Sequence, residues 1–343
     1  MRIIASPVVS YIADHFGDRR RPLQWLAAGT LAGVMVWQFA DGFWEILAIA
    51  VITSVFWTPV MPLIDSFAVA GARVHGLHYG RMRLWGSLSF VAASFIGGIV
   101  LKLSAPHSVI WMLLAAEIMM LTSALALPPD PRIRAAVDAP PSSRIDYGEV
   151  RRLLQDRRFL LLVGASSLVQ ATHAVYYGFG TLHWQKLGLG EDLIGALWAI
   201  GVIAEIILFA VSAPLLRRPG PAGLVLAGAL LAMARWAITA LDPPVVVLIV
   251  VQIAHAGSFA ATFLGTVQFI GRGVPAHLQT TAQGIYAAFA GGLVMGLALL
   301  VAGPLYQDLA GTSYLVMAAV AGVAALLAFR LVMADRAAPS AAP

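Results

Sequence analysis

A few ionisable side chains lie inside long apolar segments of this sequence. Glu205 lies about twelve residues into one such segment, and Arg235 and His255 lie in the two segments that follow. A charged side chain at the centre of a bilayer costs roughly 3 kcal/mol or more, so it persists where it pairs or lines a cavity. A desolvated carboxyl can take up and release a proton near neutral pH. We therefore predict proton exchange at Glu205, which shares a helical face with Trp198. A neutral Glu205 that is hydrogen-bonded between helices is the alternative.

Arg235 suits the recognition of an anion, because its guanidinium presents a fork of donors to a carboxylate. The sequence allows a pair with Glu205 from the preceding segment, or direct capture of a substrate carboxylate. The two roles can alternate, since a carboxylate that competes for Arg235 would free Glu205 to accept a proton. Snorkelling of Arg235 to the membrane surface is the alternative.

The remaining candidates are polar or aromatic residues at helical spacing. Glu205, His255 and Glu117 are the predicted proton-coupling residues, since imidazole and desolvated carboxyl groups both titrate in a useful range. A satisfied core histidine and ordinary aromatic packing are the alternatives. An Arg2–Glu117 pair would be the first-half counterpart of Arg235 and Glu205. The predicted substrate-binding residues are Arg235, His173, Tyr176, Tyr177, Trp198, Gln170, Gln252, Gln283 and Arg2.

The elements that carry these residues are predicted transmembrane helices. The chain is 60% hydrophobic and 11% charged, whereas a soluble domain carries roughly 25% charged residues. Eleven apolar runs, from Ile3–Ala13 to Ser313–Phe329, are typical of spanning helices. All but four of the 22 Lys and Arg residues fall in alternate gaps between these runs, and the positive-inside rule makes those gaps cytoplasmic. We expect a multi-pass protein of a bacterial inner membrane with a cytoplasmic C-terminus.

A proline-rich stretch divides the runs into two sets. It ends in the Arg-rich segment Glu149–Arg158, which predicts an amphipathic helix on an anionic lipid surface. Four full helices and a stub precede it, and six full helices follow it. The predicted organisation is an N-terminal bundle over 1–127, a cytoplasmic linker over 128–158, a C-terminal bundle over 159–333 and a cytoplasmic tail over 334–343.

The first basic gap contains a predicted cytoplasmic gate made of Asp14, Gly17, Arg19 and Arg20. Its sequence resembles the signature between the second and third helices of the major facilitator superfamily, G-x-x-x-D-R-x-G-R-R. A glycine permits the turn, and the acidic and basic residues can form ion pairs that bias a two-state equilibrium. A solvated loop that only follows the positive-inside rule is the alternative. Asp18 departs from the signature, because a basic residue is common there.

Further matches narrow the resemblance to the phenylpropionate permease branch of this superfamily. They include Tyr79–Phe90, His173–Phe179, Gly195–Glu205 and Gln283–Tyr286. The superfamily has two six-helix bundles with a midplane site. The resemblance therefore implies an all-α membrane protein with the major facilitator fold, here with about eleven helices and with the first helix and half of the second missing. A genuine eleven-helix protein is the alternative.

The resemblance implies a secondary active transporter that takes up a small aromatic carboxylate such as 3-phenylpropionate by alternating access, with protons as the coupling ion and no other cofactor. A proton symporter of a neutral sugar or nucleoside and a non-functional truncated remnant are the alternatives. We expect no enzyme activity, since the motifs of metal-diphosphate, acyl-transfer or zinc chemistry are missing and no cysteine is present. The expected partners are a small-molecule substrate and the lipid bilayer, without nucleic acid or metal, and the expected state is a monomer.

Overall fold

A computed structural model describes residues 1–103, 108–130, 147–217 and 219–337. These residues form helices without a strand among them, which confirms the predicted all-α class. The helices in the first part of the chain are α1 (Arg2–Phe16), α2 (Arg20–Trp37), α3 (Phe43–Trp57), α4 (Val60–Val74), α5 (Tyr79–Leu103), α6 (Ser108–Leu125) and α7 (Tyr147–Gln155). Those in the second part are α8 (Arg157–Ala171), α9 (Ala174–Lys186), α10 (Glu191–Ala210), α11 (Ser212–Arg217), α12 (Gly220–Thr239), α13 (Val245–Ile253), α14 (Thr262–Gly273), α15 (Gln279–Ala287), α16 (Met295–Leu309) and α17 (Ser313–Ala337).

Each predicted apolar run coincides with one helix or with consecutive helices of the same stretch. Within the described ranges, seven helical stretches are long and apolar enough to cross a membrane, including Phe43–Val74, Glu191–Ala210 and Val245–Gly273. Several of these stretches are interrupted where the pattern of backbone hydrogen bonds changes. Pro59 separates α3 from α4, because a proline has no backbone N–H to donate to the preceding turn of the helix. A π-helical segment, Ala256–Ala261, joins α13 to α14.

The helices group into two compact units. Unit 1 comprises 1–79, 88–150 and 273–288, and unit 2 comprises 80–87, 151–272 and 289–343. The predicted boundaries at 127, 158 and 333 stay predictions, and parts of the predicted linker (131–146) and tail (338–343) lie outside the described residues.

In unit 1, α1 packs against α15 and α4, and α2 packs against α3 and α6. A small apolar core of Ala13, Leu23, Leu26 and Leu63 lies between α1, α2 and α4. Gly284 of α15 lies so close to Ser10 of α1 that a Cβ there would be 2.6 Å from the Ser10 Cβ. A residue without a side chain therefore sets the spacing of these two helices.

In unit 2, α17 packs along both α12 and α8. Its contact face includes Ala321, Ala324 and Ala328, all fully buried, and such small residues let helices approach closely. The large aromatic side chains Trp184 and Trp236 fill the core beside them. The same core includes Tyr176, and Trp198 packs against it.

We expect Gly228→Ala to destabilise unit 2 by about 1–3 kcal/mol through overpacking. A Cβ at Gly228 would overlap the Thr262 hydroxyl and lie 3.0 Å from the Gly257 carbonyl oxygen, which belongs to the π-helical segment. The melting temperature of the purified protein measures the effect. Gly195→Ala is the matched control, since nothing lies within 4 Å of its added Cβ, and an equal loss in both variants would contradict the prediction.

Candidate functional site

Three buried ionisable side chains of unit 2 form a continuous polar chain. Nε2 of His255 lies 3.0 Å from Oε1 of Glu205 on α10. Nδ1 of the same ring lies 3.0 Å from Nη1 of Arg235 on α12. His255 ends the stretch that begins with α13, immediately before the π-helical segment. The ring therefore stands between the acid and the base.

This arrangement determines which nitrogen of His255 carries the proton. A guanidinium has donors only, so Nδ1 must accept from Arg235. The proton of the neutral ring is then on Nε2, where it is donated to Glu205. The predicted direct Arg235–Glu205 pair is wrong for this arrangement, because a histidine from a third helix occupies the space between the two side chains.

Arg235 is held in place on several sides but has no carboxylate partner among the described residues. It is 1% exposed, so the snorkelling alternative is also wrong. Its Nε donates to the Val251 carbonyl oxygen at 3.0 Å, and its Cζ lies 4.2 Å from the Trp236 ring centroid and 4.7 Å from that of Tyr176. Nη2 is buried without a hydrogen-bond partner. Both N–H groups of this nitrogen are thus unused.

Aromatic side chains of α9 and α10 lie beside the guanidinium. The ring centroids of Tyr176 and Trp198 are 4.4 Å apart, and those of Tyr177 and Trp198 are 6.4 Å apart in a stacked geometry. The Tyr176 hydroxyl donates to Oε1 of Gln252 at 2.8 Å. His173 stacks on Tyr177 with centroids 5.6 Å apart. These predicted residues are brought together in unit 2.

Ser258 is a site residue that the sequence reasoning missed. Its Oγ lies 3.4 Å from Nη1 of Arg235 and 3.4 Å from Nε2 of His173. It lies in the π-helical segment, a feature that is frequent at functional sites. The only signal in the sequence is its spacing of three residues from His255, and that spacing does not reveal the wider π-helical turn.

Other predicted residues lie elsewhere. Gln170 is buried on α8, one turn before His173. Gln283 is buried on α15 and Glu117 is half-buried on α6, and both belong to unit 1. Oε2 of Glu117 has no hydrogen-bond partner among the described residues. The side chain of Arg2 lies outside the described part of the chain, so the Arg2–Glu117 pair stays a prediction.

The residues predicted as a gate form a second polar cluster, within unit 1. Gly17 ends α1 in the left-handed conformation, with φ +68°. The fully buried Arg19 donates from Nε to Thr280 Oγ1 at 2.8 Å and from Nη1 to the Ser66 carbonyl oxygen at 3.1 Å. Its backbone N–H donates to Asp130 at 2.9 Å. Arg19 therefore links α1 and α2 to α4 and to the start of α15.

Two acidic residues complete the cluster through backbone donors. Oδ2 of Asp14 accepts from the backbone N–H of Thr281 at 2.5 Å and from its hydroxyl at 2.9 Å, at the helix N-terminus where negative charge is favourable. Asp18 accepts from the backbone N–H of Arg20 at 2.9 Å. Asp18, which departs from the family signature, thus stabilises the first turn of α2. The Arg20 side chain donates to the Leu125 carbonyl oxygen.

The chain is similar to one protein family and to several known transporters. The model of the MFS_1 like family matches residues 1–317. A probable 3-phenylpropionic acid transporter of Escherichia coli (strain K12) is 30% identical over 311 residues, which cover 88% of this chain and 79% of that protein. A maltose permease of Geobacillus stearothermophilus is 28% identical over 307 residues, which cover 88% of this chain and 75% of that permease.

Solved structures show the same fold at lower identity. The human organic anion transporter MFSD10 superposes with a TM-score of 0.74 at 16% identity, covering 95% of this chain and 80% of that one. The nucleoside transporter NupG superposes with a TM-score of 0.62 at 17% identity, covering 98% of this chain and 87% of that one.

We expect Asp14→Asn to loosen the contact between α1 and α15, because it removes the charge from two hydrogen bonds. A hydrogen bond to a charged group contributes roughly 1 kcal/mol more than a neutral one, so loss of the charge from both bonds should increase opening at least tenfold. The chain has no cysteine, so maleimide labelling of a Ser10→Cys background, at a fully buried position, reports the opening. Glu45→Gln is the control, since Glu45 also accepts from a backbone N–H but is exposed. Equal labelling rates in the two variants would refute the prediction.

Proposed function

The chain belongs to the MFS_1 like family of transporters, and we propose that it is a proton-coupled carrier that takes up a small aromatic carboxylate by alternating access. Its membership and its structural neighbours confirm the predicted major facilitator fold. It is a multi-pass membrane transporter and not an enzyme. The substrate class, the proton coupling and the site residues are the proposal.

The unused donor of Arg235 carries the substrate assignment. A buried polar group without a partner costs about 1–3 kcal/mol, and more when it is charged. A carboxylate oxygen placed at Nη2 would remove that cost and neutralise the guanidinium. The ligand that fits is therefore an anion small enough to enter a helical bundle.

The aromatic side chains around Arg235 favour an aromatic ring on that anion. The Tyr176 ring centroid lies 4.7 Å from Cζ of Arg235, and the rings of Tyr177 and Trp198 pack beside Tyr176. Offset ring pairs contribute about 0.5–1.5 kcal/mol beyond area burial. The Escherichia coli relative, a probable 3-phenylpropionic acid transporter, matches this chemistry. We therefore name 3-phenylpropionate as the probe substrate.

Proton coupling follows from the position of His255. Protonation of its ring would place an N–H at Nδ1, opposite an Arg235 donor, so a protonated His255 and the Arg235–His255 hydrogen bond exclude each other. A substrate carboxylate that draws Arg235 away frees Nδ1 to accept a proton, and Glu205 stabilises the resulting imidazolium at Nε2. Arg235 thus exchanges His255 for the substrate carboxylate, and His255 gains a proton. The coupling free energy between two linked sites is usually about 1–3 kcal/mol.

A neutral sugar is the second candidate. The relative from Geobacillus stearothermophilus is a maltose permease, and Gln252, Glu205 and Trp198 supply an amide, a carboxyl and an indole that could bind hydroxyl groups. In that case Arg235 would have only a structural role. Removal of its charge would then lower the stability of unit 2 but would not weaken sugar binding beyond that.

The remaining properties are proposed on the same basis. We propose a monomer in the bacterial inner membrane with a cytoplasmic C-terminus, because the basic gaps alternate as the positive-inside rule requires. The cluster of Asp14, Gly17, Arg19 and Arg20 would then close the cytoplasmic side. Gln283, Glu117 and Arg2 stay predictions.

We expect Arg235→Gln to weaken 3-phenylpropionate binding about 100-fold, since truncation of one partner of a buried charge pair costs roughly 2–5 kcal/mol. Calorimetric titration of the purified protein measures it, with maltose and uridine as competitors. Arg158→Gln is the matched control, because Arg158 also lies over a ring, that of Phe269, but is paired with Asp335. Unchanged affinity in Arg235→Gln, or displacement of the probe by maltose, would favour the second candidate.

We expect His255→Gln to uncouple transport. Glutamine keeps an acceptor for Arg235 but cannot be protonated at neutral pH, so exchange of labelled for unlabelled 3-phenylpropionate should continue while accumulation driven by a pH gradient falls about tenfold or more. Proteoliposomes with and without a protonophore separate the two activities. Accumulation that persists in the variant would rule out His255 as the coupling residue.

A further inference from the structure

A further buried histidine, outside the site described above, joins three segments of unit 2. His183 near the end of α9 is 4% exposed. Its Nε2 lies 2.7 Å from Oδ1 of Asp242, in the turn between α12 and α13. Its Nδ1 lies 3.1 Å from the hydroxyl of Tyr306 on α16. The ring also meets Tyr314 of α17 edge-on, with centroids 5.8 Å apart.

Two backbone features lie beside this cluster, the turn at Asp242 and the close approach of Gly311. Asp242 has a φ of +48°, which is uncommon for a residue other than glycine. Gly311 lies so close that a Cβ there would be 2.9 Å from Oδ1 of Asp242 and 2.9 Å from Cε1 of His183. The missing side chain of Gly311 thus leaves the space in which the carboxylate and the imidazole meet.

The partners of His183 accept it in both protonation states, unlike those of His255. A carboxylate accepts from Nε2–H in either state, and a tyrosine hydroxyl can donate to a neutral Nδ1 or accept from a protonated one. No hydrogen bond is therefore lost when the ring gains a proton. Protonation converts a neutral donor into a charged one opposite Asp242, and charge-assisted hydrogen bonds are about twice as strong as neutral ones.

The two ends of the His183–Asp242 contact are each seven residues from a residue proposed to bind substrate. Tyr176 precedes His183 by seven residues on α9, which is two helical turns on the same face. Arg235 precedes Asp242 by the same seven residues and lies in the last turn but one of α12. The His183–Asp242 contact thus ties together the ends of the two segments that place the Tyr176 ring on the guanidinium.

We propose that His183, Asp242 and Tyr306 form a proton-operated latch that positions Tyr176 against Arg235 and so sets the affinity for substrate. The latch is firm when His183 is charged and looser when the ring is neutral. The other groups that face it are the Tyr314 ring and Lys186, whose Nζ lies 5.1 Å from the Tyr306 ring centroid. Asp242 is 44% exposed, so solvent protons reach the pair.

Two readouts test the latch, and only the second rests on the proposed function. His183→Gln keeps a donor and an acceptor but cannot be protonated, and Asp242→Asn keeps the turn, since asparagine tolerates positive φ. We expect each variant to melt about 3 °C below the wild type at pH 5.5, with the difference shrinking towards pH 8. A difference that is equal at both pH values would overturn proton operation.

The second readout is 3-phenylpropionate affinity at pH 5.5, which we expect both variants to weaken about tenfold. Wild-type affinity in either variant would overturn the positioning role. If the wild type itself does not bind the probe, the proposed substrate fails while the melting test still decides on the latch. His277→Gln is the matched control, because His277 also contacts a carboxylate, Glu149 at 3.3 Å, but in unit 1, and it should leave the affinity unchanged.

Discussion

The burial of a guanidinium in an apolar helical bundle is the constraint on which unit 2 depends. Arginine stays protonated in proteins, so Arg235 brings a permanent charge into a region that disfavours it. The guanidinium contacts a carbonyl oxygen, an imidazole nitrogen and two aromatic ring faces. None of these neutralises the charge, and that deficit is the basis for proposing an anionic substrate.

Unit 1 buries an arginine by a different arrangement. Arg19 also has no exposed surface, but a carboxylate, Asp130, lies beside its guanidinium at 3.9 Å and accepts from its backbone N–H. The charge there is compensated by the chain itself. A compensated arginine suits a contact that holds helices together, whereas an uncompensated one suits a site that waits for a ligand.

Histidine links these charges to the proton in two ways. His255 faces a donor that leaves no room for a second ring proton, so its protonation requires Arg235 to move. His183 faces a carboxylate and a hydroxyl that tolerate either state, so its protonation strengthens an existing contact. We thus propose that His255 exchanges partners and that His183 acts as a latch, although both are histidines. The difference lies in whether the partner of Nδ1 can accept a hydrogen bond as well as donate one.

The helices were predictable from the sequence because each needs only its own apolar length and its own backbone hydrogen bonds. The set of polar residues worth attention was also predictable, since a charge in an apolar run is conspicuous. The partners were not. His255 between Glu205 and Arg235, Ser258 in a π-helical turn, Asp130 beside Arg19 and Asp242 beside His183 all come from segments distant in the chain. Composition and periodicity report what each helix is, whereas tertiary packing alone decided which donor meets which acceptor.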